Sequence, residues 1–136
     1  MRIVIDTNVL VAGVLSAAGP PGWIVEAILT GDLELCCNAA IRDEYEDVLH
    51  RPELSLSRSR VNALLEAIDR FGVEVTVPPW QHALPDPDDA AFLAVAAWTG
   101  STLVTGNTRH YPARARGNVV VLTPRAFVDW LGQTAS

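Results

Sequence analysis

The chain contains no lysine, so all ten of its basic residues are arginines, and its formal net charge at pH 7 is −6. Proteins that bind nucleic acids usually show a basic surface, and the acidic total argues against nucleic-acid binding by the chain as a whole. The missing lysine also excludes a response-regulator receiver, which needs a lysine beside its phospho-acceptor aspartate.

Cysteine and long apolar runs are equally scarce. The two cysteines, Cys36 and Cys37, are adjacent and would point to opposite faces of a strand, so we expect buried thiols and no disulfide. No His/Cys spacing suggests zinc, and no apolar run approaches the roughly 18 residues of a membrane span. Asp6 interrupts the apolar N-terminal segment and only Arg2 flanks it, which argues against a signal peptide. We expect a cytoplasmic protein without membrane contact.

The chain does have enough apolar residues, 49% of 136, to form the core of one ordinary domain over residues 1–136. Strand-like runs alternate with helical patterns. The predicted strands cover residues 2–5, 33–37, 73–77, 102–105 and 118–122. The predicted helices cover residues 7–15, 22–30, 39–50, 57–71, 87–99 and 124–131. This alternation predicts a three-layer α/β/α fold around a central, mostly parallel five-stranded sheet.

Residues at the helix ends support these boundaries. Pro124 suits the first position of a helix, with Thr123 as its cap. Gly72 and Gly100 each follow a predicted helix, where a left-handed cap is expected.

Polar side chains follow two of the predicted strands directly. Asp6 comes after the first strand, and Asn107 follows the fourth strand and Gly106. Ligands of open parallel sheets bind outside the carboxyl ends of the strands. If both strands are central, the two side chains meet at one edge of the sheet and mark a site.

The helix predicted over residues 39–50 carries four acids, and only Glu44 lies within its apolar arc. The arc consists of Ile41, Tyr45, Val48 and Leu49, and the opposite side carries Asp43, Glu46 and Asp47. An inward carboxylate is costly unless it is paired or bound to a metal. An ion pair with a buried arginine, or a place at the edge of the arc, remains the alternative.

A second inward acid opens the helix predicted from residue 87. Asp89 shares a face with Phe92 and Leu93, which lie one turn later. We expect Asp88 to cap the helix N-terminus. Asp86 is left open between a cap and a residue that supports a ligand.

Three inward carboxylates in one pocket repel one another, and a hard divalent cation removes that conflict. Mg²⁺ and Mn²⁺ prefer oxygen ligands and usually keep several waters. Water bound to such an ion loses a proton more readily and can attack phosphorus. The residues therefore favour a Mg²⁺ or Mn²⁺ site.

Four segments in order, IDTNVL, EYEDVL, DPDDAAFLAVA and LVTGNTRHYP, resemble PIN domains. More narrowly, they resemble the VapC-like toxin components of bacterial and archaeal toxin–antitoxin pairs. The resemblance runs from Arg2 to about Pro124. It implies a PIN-like fold, a Mg²⁺- or Mn²⁺-dependent endoribonuclease that cuts RNA, and a tightly bound antitoxin protein as partner.

Position by position, the resemblance implies that Asp6, Glu44 and Asp89 are catalytic and bind metal. Asn107 is implied as a further catalytic residue, at a place where many members carry a fourth acid. Because an amide adds no charge, such a site holds one ion firmly and a second only with substrate. The supporting residues implied are Thr7, Asn8 and Thr105, together with Asp86.

The arginines fall in two groups. Arg109, Arg114 and Arg116 surround the segment after Asn107 and are predicted to bind RNA, because the arginine fork suits phosphate. Solvated loop charge is the alternative, both here and for the second group, which consists of Arg51, Arg58 and Arg60. Four tryptophans indicate some apolar surface, with Trp80 the best candidate for exposure, and leave a homodimer open.

Two other functions compete with the nuclease. A non-catalytic RNA-binding or partner-binding domain would explain Asn107, and turnover of RNA with Mn²⁺ distinguishes it. A haloacid-dehalogenase-type phosphatase also begins with an aspartate at a strand end, but it needs Asp-x-Asp. Here Asn8 stands at the second position after Asp6, so the required general acid is missing.

Overall fold

The computed structural model describes residues 1–135, which contain five strands and six α-helices. The strands are β1 (Arg2–Ile5), β2 (Glu34–Cys37), β3 (Val73–Glu74), β4 (Thr102–Val104) and β5 (Val121–Leu122). The helices are α1 (Thr7–Leu15), α2 (Gly19–Leu29), α3 (Ala39–Leu49), α4 (Arg58–Phe71), α5 (Ala90–Thr99) and α6 (Pro124–Ala135). Short 3₁₀ helices cover Pro52–Leu54, Pro87–Asp89, Thr108–His110 and Ala113–Ala115.

The five strands form one sheet, in the order β3-β2-β1-β4-β5, and every pairing is parallel. β1 is the central strand, and its residues Ile3, Val4 and Ile5 are almost completely buried. Burial on both faces is expected of parallel strands, because the crossover helices cover the two sides of the sheet. The predicted three-layer fold with a parallel five-stranded sheet is confirmed.

The order of the strands reverses between β1 and β4. The chain runs outward from β1 through β2 to β3, and then returns to the other side of β1 to form β4 and β5. The backbone N–H of Asp6 donates to the carbonyl of Val104 at 2.9 Å, so the carboxyl ends of β1 and β4 lie side by side. This reversal opens a crevice at the carboxyl edge, where ligands of open α/β sheets bind.

The third predicted strand was too long. Within residues 1–135, β3 lies at the edge of the sheet and pairs only with β2, which ends at Cys37. The N–H of Val75 still donates to the carbonyl of Cys37 at 2.9 Å, but β2 has ended there and cannot continue the ladder. Val77 stays half-buried without belonging to the sheet, so its alternating pattern reflects packing and not pairing.

Two of the three predicted helix ends are confirmed. Thr123 accepts a hydrogen bond from the N–H of Ala126, and Gly100 is left-handed with φ +66°. The left-handed cap at Gly72 was wrong, because its φ is −77°. A Cβ at Gly72 would lie 2.3 Å from the carbonyl oxygen of Ile68, so glycine permits a close backbone approach here.

The tryptophans give some apolar surface, as expected, but the choice of Trp80 as the best candidate for exposure was wrong. Trp80 is partly buried, and its indole N–H donates to the carbonyl of Ala115 at 2.8 Å. Trp98 on α5 is 63% exposed, Trp23 on α2 47% and Trp130 on α6 38%.

In residues 1–135 no single helix is long and apolar enough to cross a membrane, and α1 with α2 reaches that length only as a pair bent by 96°.

Both cysteines are free and buried, as expected. Burial, with the charge of Glu74 adding to it, raises the pKa of the Cys37 thiol to about 11. This thiol therefore stays protonated near neutral pH.

Candidate metal centre

Asp6 lies at the crevice, between the end of β1 and the start of α1, and is only 6% exposed. Its carboxylate does not cap α1 and is directed into the site. Oδ2 accepts hydrogen bonds from the hydroxyl of Thr105, at 2.8 Å, and from the hydroxyl of Tyr111, at 3.0 Å. Both donors are fully buried. A buried carboxylate with two hydroxyl donors keeps its charge in a fixed position.

Asp89 ends the 3₁₀ turn before α5 and is 8% exposed. Its Oδ2 is buried and has no hydrogen-bond partner within residues 1–135. The Nδ1 atom of His110 lies 3.2 Å away, within ion-pair distance, but the ring is not aligned for a hydrogen bond. Burial raises the pKa of Asp89 to about 6, and the negative charges of Asp6 and Asp86 add to this effect.

Glu44 is half-buried on α3, while Asp43, Glu46 and Asp47 on the same helix are exposed. The predicted division of these four acids between the two sides of the helix is confirmed. The Oε2 atom of Glu44 accepts a hydrogen bond from the hydroxyl of Thr7. The charge of Glu44 also contributes to the raised pKa of Asp89. The third carboxylate therefore lies within electrostatic range of Asp89.

Hydrogen bonds tie the start of α1 to the segment after β4. The Oδ1 atom of Asn8 accepts from the N–H of Gly106 at 3.1 Å, and the Oγ1 atom of Thr105 accepts from the N–H of Asn107 at 3.1 Å. Asn107 is half-buried beside these contacts. The structure therefore brings the predicted supporting residues Asn8 and Thr105 to the same crevice as Asp6.

The capping role belongs to Asp86 and not to Asp88. The Oδ1 atom of Asp86 accepts a hydrogen bond from the N–H of Asp88 at 3.0 Å. The prediction for Asp88 was wrong because Pro87 occupies the first helical position, and this makes Asp86 the residue that precedes the turn. Asp86 is exposed and caps this turn, and its role in supporting a ligand stays a prediction.

The predicted RNA-binding arginines lie in the segment that carries His110 and Tyr111. Arg109 and Arg114 are exposed. Arg116 is half-buried, and its Nε–H donates to the carbonyl of Tyr111, so it also holds the loop. In the second arginine group, Arg51 pairs with Asp47 at 3.0 Å and Arg60 with Glu26 at 3.1 Å. These pairs match the alternative of surface charge.

Two tyrosines at the site were missed as functional candidates. Tyr45 was assigned only to the apolar arc of its helix, and its hydroxyl donates to the carbonyl of Ile5. Tyr111 follows three polar residues and precedes a proline, which suggests an exposed loop, yet it is fully buried against Asp6. Burial and the charge of Asp6 raise the pKa of Tyr111, so its hydroxyl stays a donor. No local pattern marks either contact.

A divalent cation fits this donor set. Asp6 and Asp89 bring two buried carboxylates together, and an oxygen of Asp89 lacks any donor. In residues 1–135 no three His, Cys, Asp or Glu side chains are grouped closely enough to hold one ion together. Glu44 is directed onto Thr7. Mg²⁺ is commonly bound by one or two carboxylates and several waters. Glu44 could therefore contact such an ion through one of its bound waters.

Fold and site first define a class: a three-layer α/β/α protein with buried carboxylates at the switch point of a parallel sheet. Residues 2–109 match the PIN domain family, and the chain belongs to that family. PIN domains are generally metal-dependent nucleases. The chain is also similar to the uncharacterized protein MJ1680 of Methanocaldococcus jannaschii, with 24% identity over 140 residues that cover 95% of this chain and 90% of that protein.

Proposed function

We propose that this protein is a Mg²⁺- or Mn²⁺-dependent endoribonuclease. One observation carries the proposal above all. The buried Oδ2 of Asp89 has no hydrogen-bond donor within residues 1–135, and it lies in a crevice with the second buried carboxylate, Asp6. A folded protein rarely leaves a charged oxygen in this condition unless a ligand completes it. The membership of the chain in the PIN family also supports a metal-dependent nuclease.

Asp6 and Asp89 would hold the ion, and Glu44 would reach it through water. When bound, the ion supplies an activated water and stabilises negative charge on the phosphate. The chain supplies the positions: Thr7 fixes Glu44, Thr105 fixes Asp6, and both hydroxyls lie inside the site. Fixed ligands reduce the reorganisation that the reaction requires.

Residues at the rim of the crevice would bind the RNA substrate. Asn107, half-buried beside Thr105, can donate its amide to a phosphate oxygen without adding negative charge. The exposed Arg109 and Arg114 follow it along the chain and can attract the RNA backbone locally despite the net charge of −6.

We further propose that the protein is the toxin of a cytoplasmic toxin–antitoxin pair. The resemblance of the four sequence segments to VapC-like toxins supports this proposal. The exposed Trp23, Trp98 and Trp130 offer apolar area to an antitoxin protein or to a second copy in a homodimer. A neighbouring gene for a small protein with a DNA-binding N-terminal segment would support the pair, and a gene without such a neighbour would count against it.

The deciding experiment is RNA cleavage by purified protein with Mn²⁺, with Mg²⁺ and with a chelator. We expect the wild type to cleave with metal only, and Asp6→Asn to lose at least about 100-fold in rate, because charge stabilisation through a metal contributes several kcal/mol. Asp43→Asn, on the exposed side of α3, is the matched control and should cleave normally. A wild type that binds RNA but never cleaves it with either metal would make the protein a binding domain.

A further inference from the structure

The two hydroxyl groups that contact Asp6 donate to the same carboxylate oxygen. Thr105 reaches Oδ2 at 2.8 Å and Tyr111 reaches it at 3.0 Å. In the part of the chain that the structure describes, no donor contacts Oδ1. The two carboxylate oxygens of Asp6 are therefore in different environments. Oδ2 accepts two hydrogen bonds, and Oδ1 accepts none from the described residues.

Hydrogen bonds hold the backbone of Tyr111, and burial holds its side chain, so the position of its hydroxyl is fixed. The N–H of Tyr111 donates to the carbonyl of Thr108 at 3.1 Å, and its own carbonyl accepts from Nε of Arg116. The side chain is completely buried, so the ring has no space in which to swing. A buried donor held in this way favours one orientation of the carboxylate that it contacts.

We propose that Tyr111 is a positioning residue of the metal centre. Together with Thr105 it holds Oδ2 of Asp6 and leaves Oδ1 to face the cation. This inference rests on the proposed metal-dependent function. Tyr111 lies beyond residues 2–109, which match the family, so the match does not assign it a role.

Such positioning has a chemical consequence. A carboxylate that rotates freely can chelate an ion through both oxygens and occupy a position that a water would otherwise take. Two donors on Oδ2 oppose that rotation, because turning the carboxylate would break both hydrogen bonds. Hydrogen bonds to ligating carboxylates commonly determine metal affinity, and removing one typically costs about 10- to 100-fold.

The protein provides a matched control in Tyr45. Tyr45 is also completely buried, and its hydroxyl donates to the backbone carbonyl of Ile5, one residue before Asp6. Tyr45 and Tyr111 therefore each use one buried hydroxyl on neighbouring residues, but only Tyr111 contacts the carboxylate. Replacing either tyrosine with phenylalanine removes one oxygen and leaves the ring in place.

The test is calorimetric titration of the intact protein with Mn²⁺, accompanied by thermal melting without metal. We expect Tyr45→Phe and Tyr111→Phe both to lower the melting temperature, because each loses a buried hydrogen bond. Only Tyr111→Phe should weaken Mn²⁺ binding, by about 10-fold or more. Equal Mn²⁺ affinity in Tyr111→Phe and the wild type, or an equal loss in both phenylalanine variants, overturns the proposal.

A second pair of variants keeps the test decisive if Tyr111→Phe does not fold. Thr105→Val removes the other donor to Oδ2, whereas Thr105→Ser keeps a hydroxyl at the same place. Thr105→Val should bind Mn²⁺ about 10-fold more weakly and Thr105→Ser close to normally. Unchanged binding by Thr105→Val overturns the proposal in that case.

Asp6→Asn separates the two levels of failure. Abolished binding in Asp6→Asn with unchanged binding in Tyr111→Phe leaves the metal centre standing and removes only the role of Tyr111. A wild type that does not bind Mn²⁺, or an Asp6→Asn variant that binds it normally, contradicts the proposed metal-dependent function and this inference with it.

Discussion

Oδ2 of Asp89 lies 3.2 Å from Nδ1 of His110, yet it is the buried side-chain oxygen in residues 1–135 that no hydrogen bond satisfies. The pair is close enough for electrostatic attraction, and the charge of His110 lowers the pKa of Asp89 against the larger effects that raise it. The carboxylate is thus destabilised in the metal-free protein. That condition makes its charge unfavourable for folding and favourable for binding a cation.

Asp89→Asn separates these two effects. The change keeps the shape and removes the buried charge, so the metal-free variant should melt at the same temperature as the wild type or slightly higher. RNA cleavage with Mn²⁺ should fall by about two orders of magnitude or more. Asp88→Asn, at the neighbouring exposed residue, is the control and should change neither property. Strong destabilisation by Asp89→Asn would mean that the carboxylate serves the fold.

The stability of the metal-free protein should depend on pH in a defined direction. The pKa of Asp89 is about 6 in the folded state against 3.8 for an ordinary aspartate, so the folded state binds this proton more tightly than the unfolded state. Stability should rise as pH falls through 6, and the gain from Asp89 is complete only below its unfolded pKa of 3.8. Asp69 has the opposite shift, because its hydrogen bond with Arg42 lowers its pKa, and its contribution is lost only at more acidic pH.

Thermal melting in a chelator between pH 7 and pH 4.5 measures this effect. Asp89→Asn should flatten the profile relative to the wild type across the same range, because it removes the titrating group. A wild-type profile identical to that of the variant would show that Asp89 does not carry the pH dependence.

Binding of RNA should depend on Arg109 and Arg114. Both side chains are exposed, and replacing both with alanine should weaken binding and reduce the salt slope by about 0.7 for each single-strand phosphate that an arginine no longer neutralises. Arg70→Ala, at the end of α4, serves as the control for net charge. An unaltered salt slope in the double variant would return both arginines to ordinary surface charge. Arg116→Ala should also lower stability, because Arg116 holds the Tyr111 carbonyl.

Asn107→Asp tests whether the neutral amide limits the site. The change adds a negative charge beside Thr105 at the rim of the crevice, so Mn²⁺ should bind more tightly and cleavage should be kept or increased. Calorimetry and the cleavage assay give the two readouts. Unchanged Mn²⁺ binding would place residue 107 outside the reach of the ion. Cleavage by Asn107→Asp where the wild type shows none would identify the amide as the cause of inactivity.

Local signals along the chain were enough to predict the classes of element and the inward direction of three acids. β-branched runs mark the strands, and α1 begins and ends at the predicted residues, Thr7–Leu15. The inward direction of Glu44 follows from helical periodicity, because an arc of apolar neighbours fixes one side of a helix. Asp89 was predicted from the same periodicity, because it shares a helix face with Phe92 and Leu93, and Asp6 from its place directly after a strand.

The sequence by itself therefore determined the α/β alternation and the acids that face inward, because these depend on residues within a turn or two of one another. Only the tertiary structure decided that β1 and β4 are neighbours, which places the crevice at their carboxyl ends. It also decided the partner of Tyr111. The hydroxyl of Tyr111 meets Asp6 across 105 positions of chain, and no local pattern encodes a contact that depends on the path of the whole sheet.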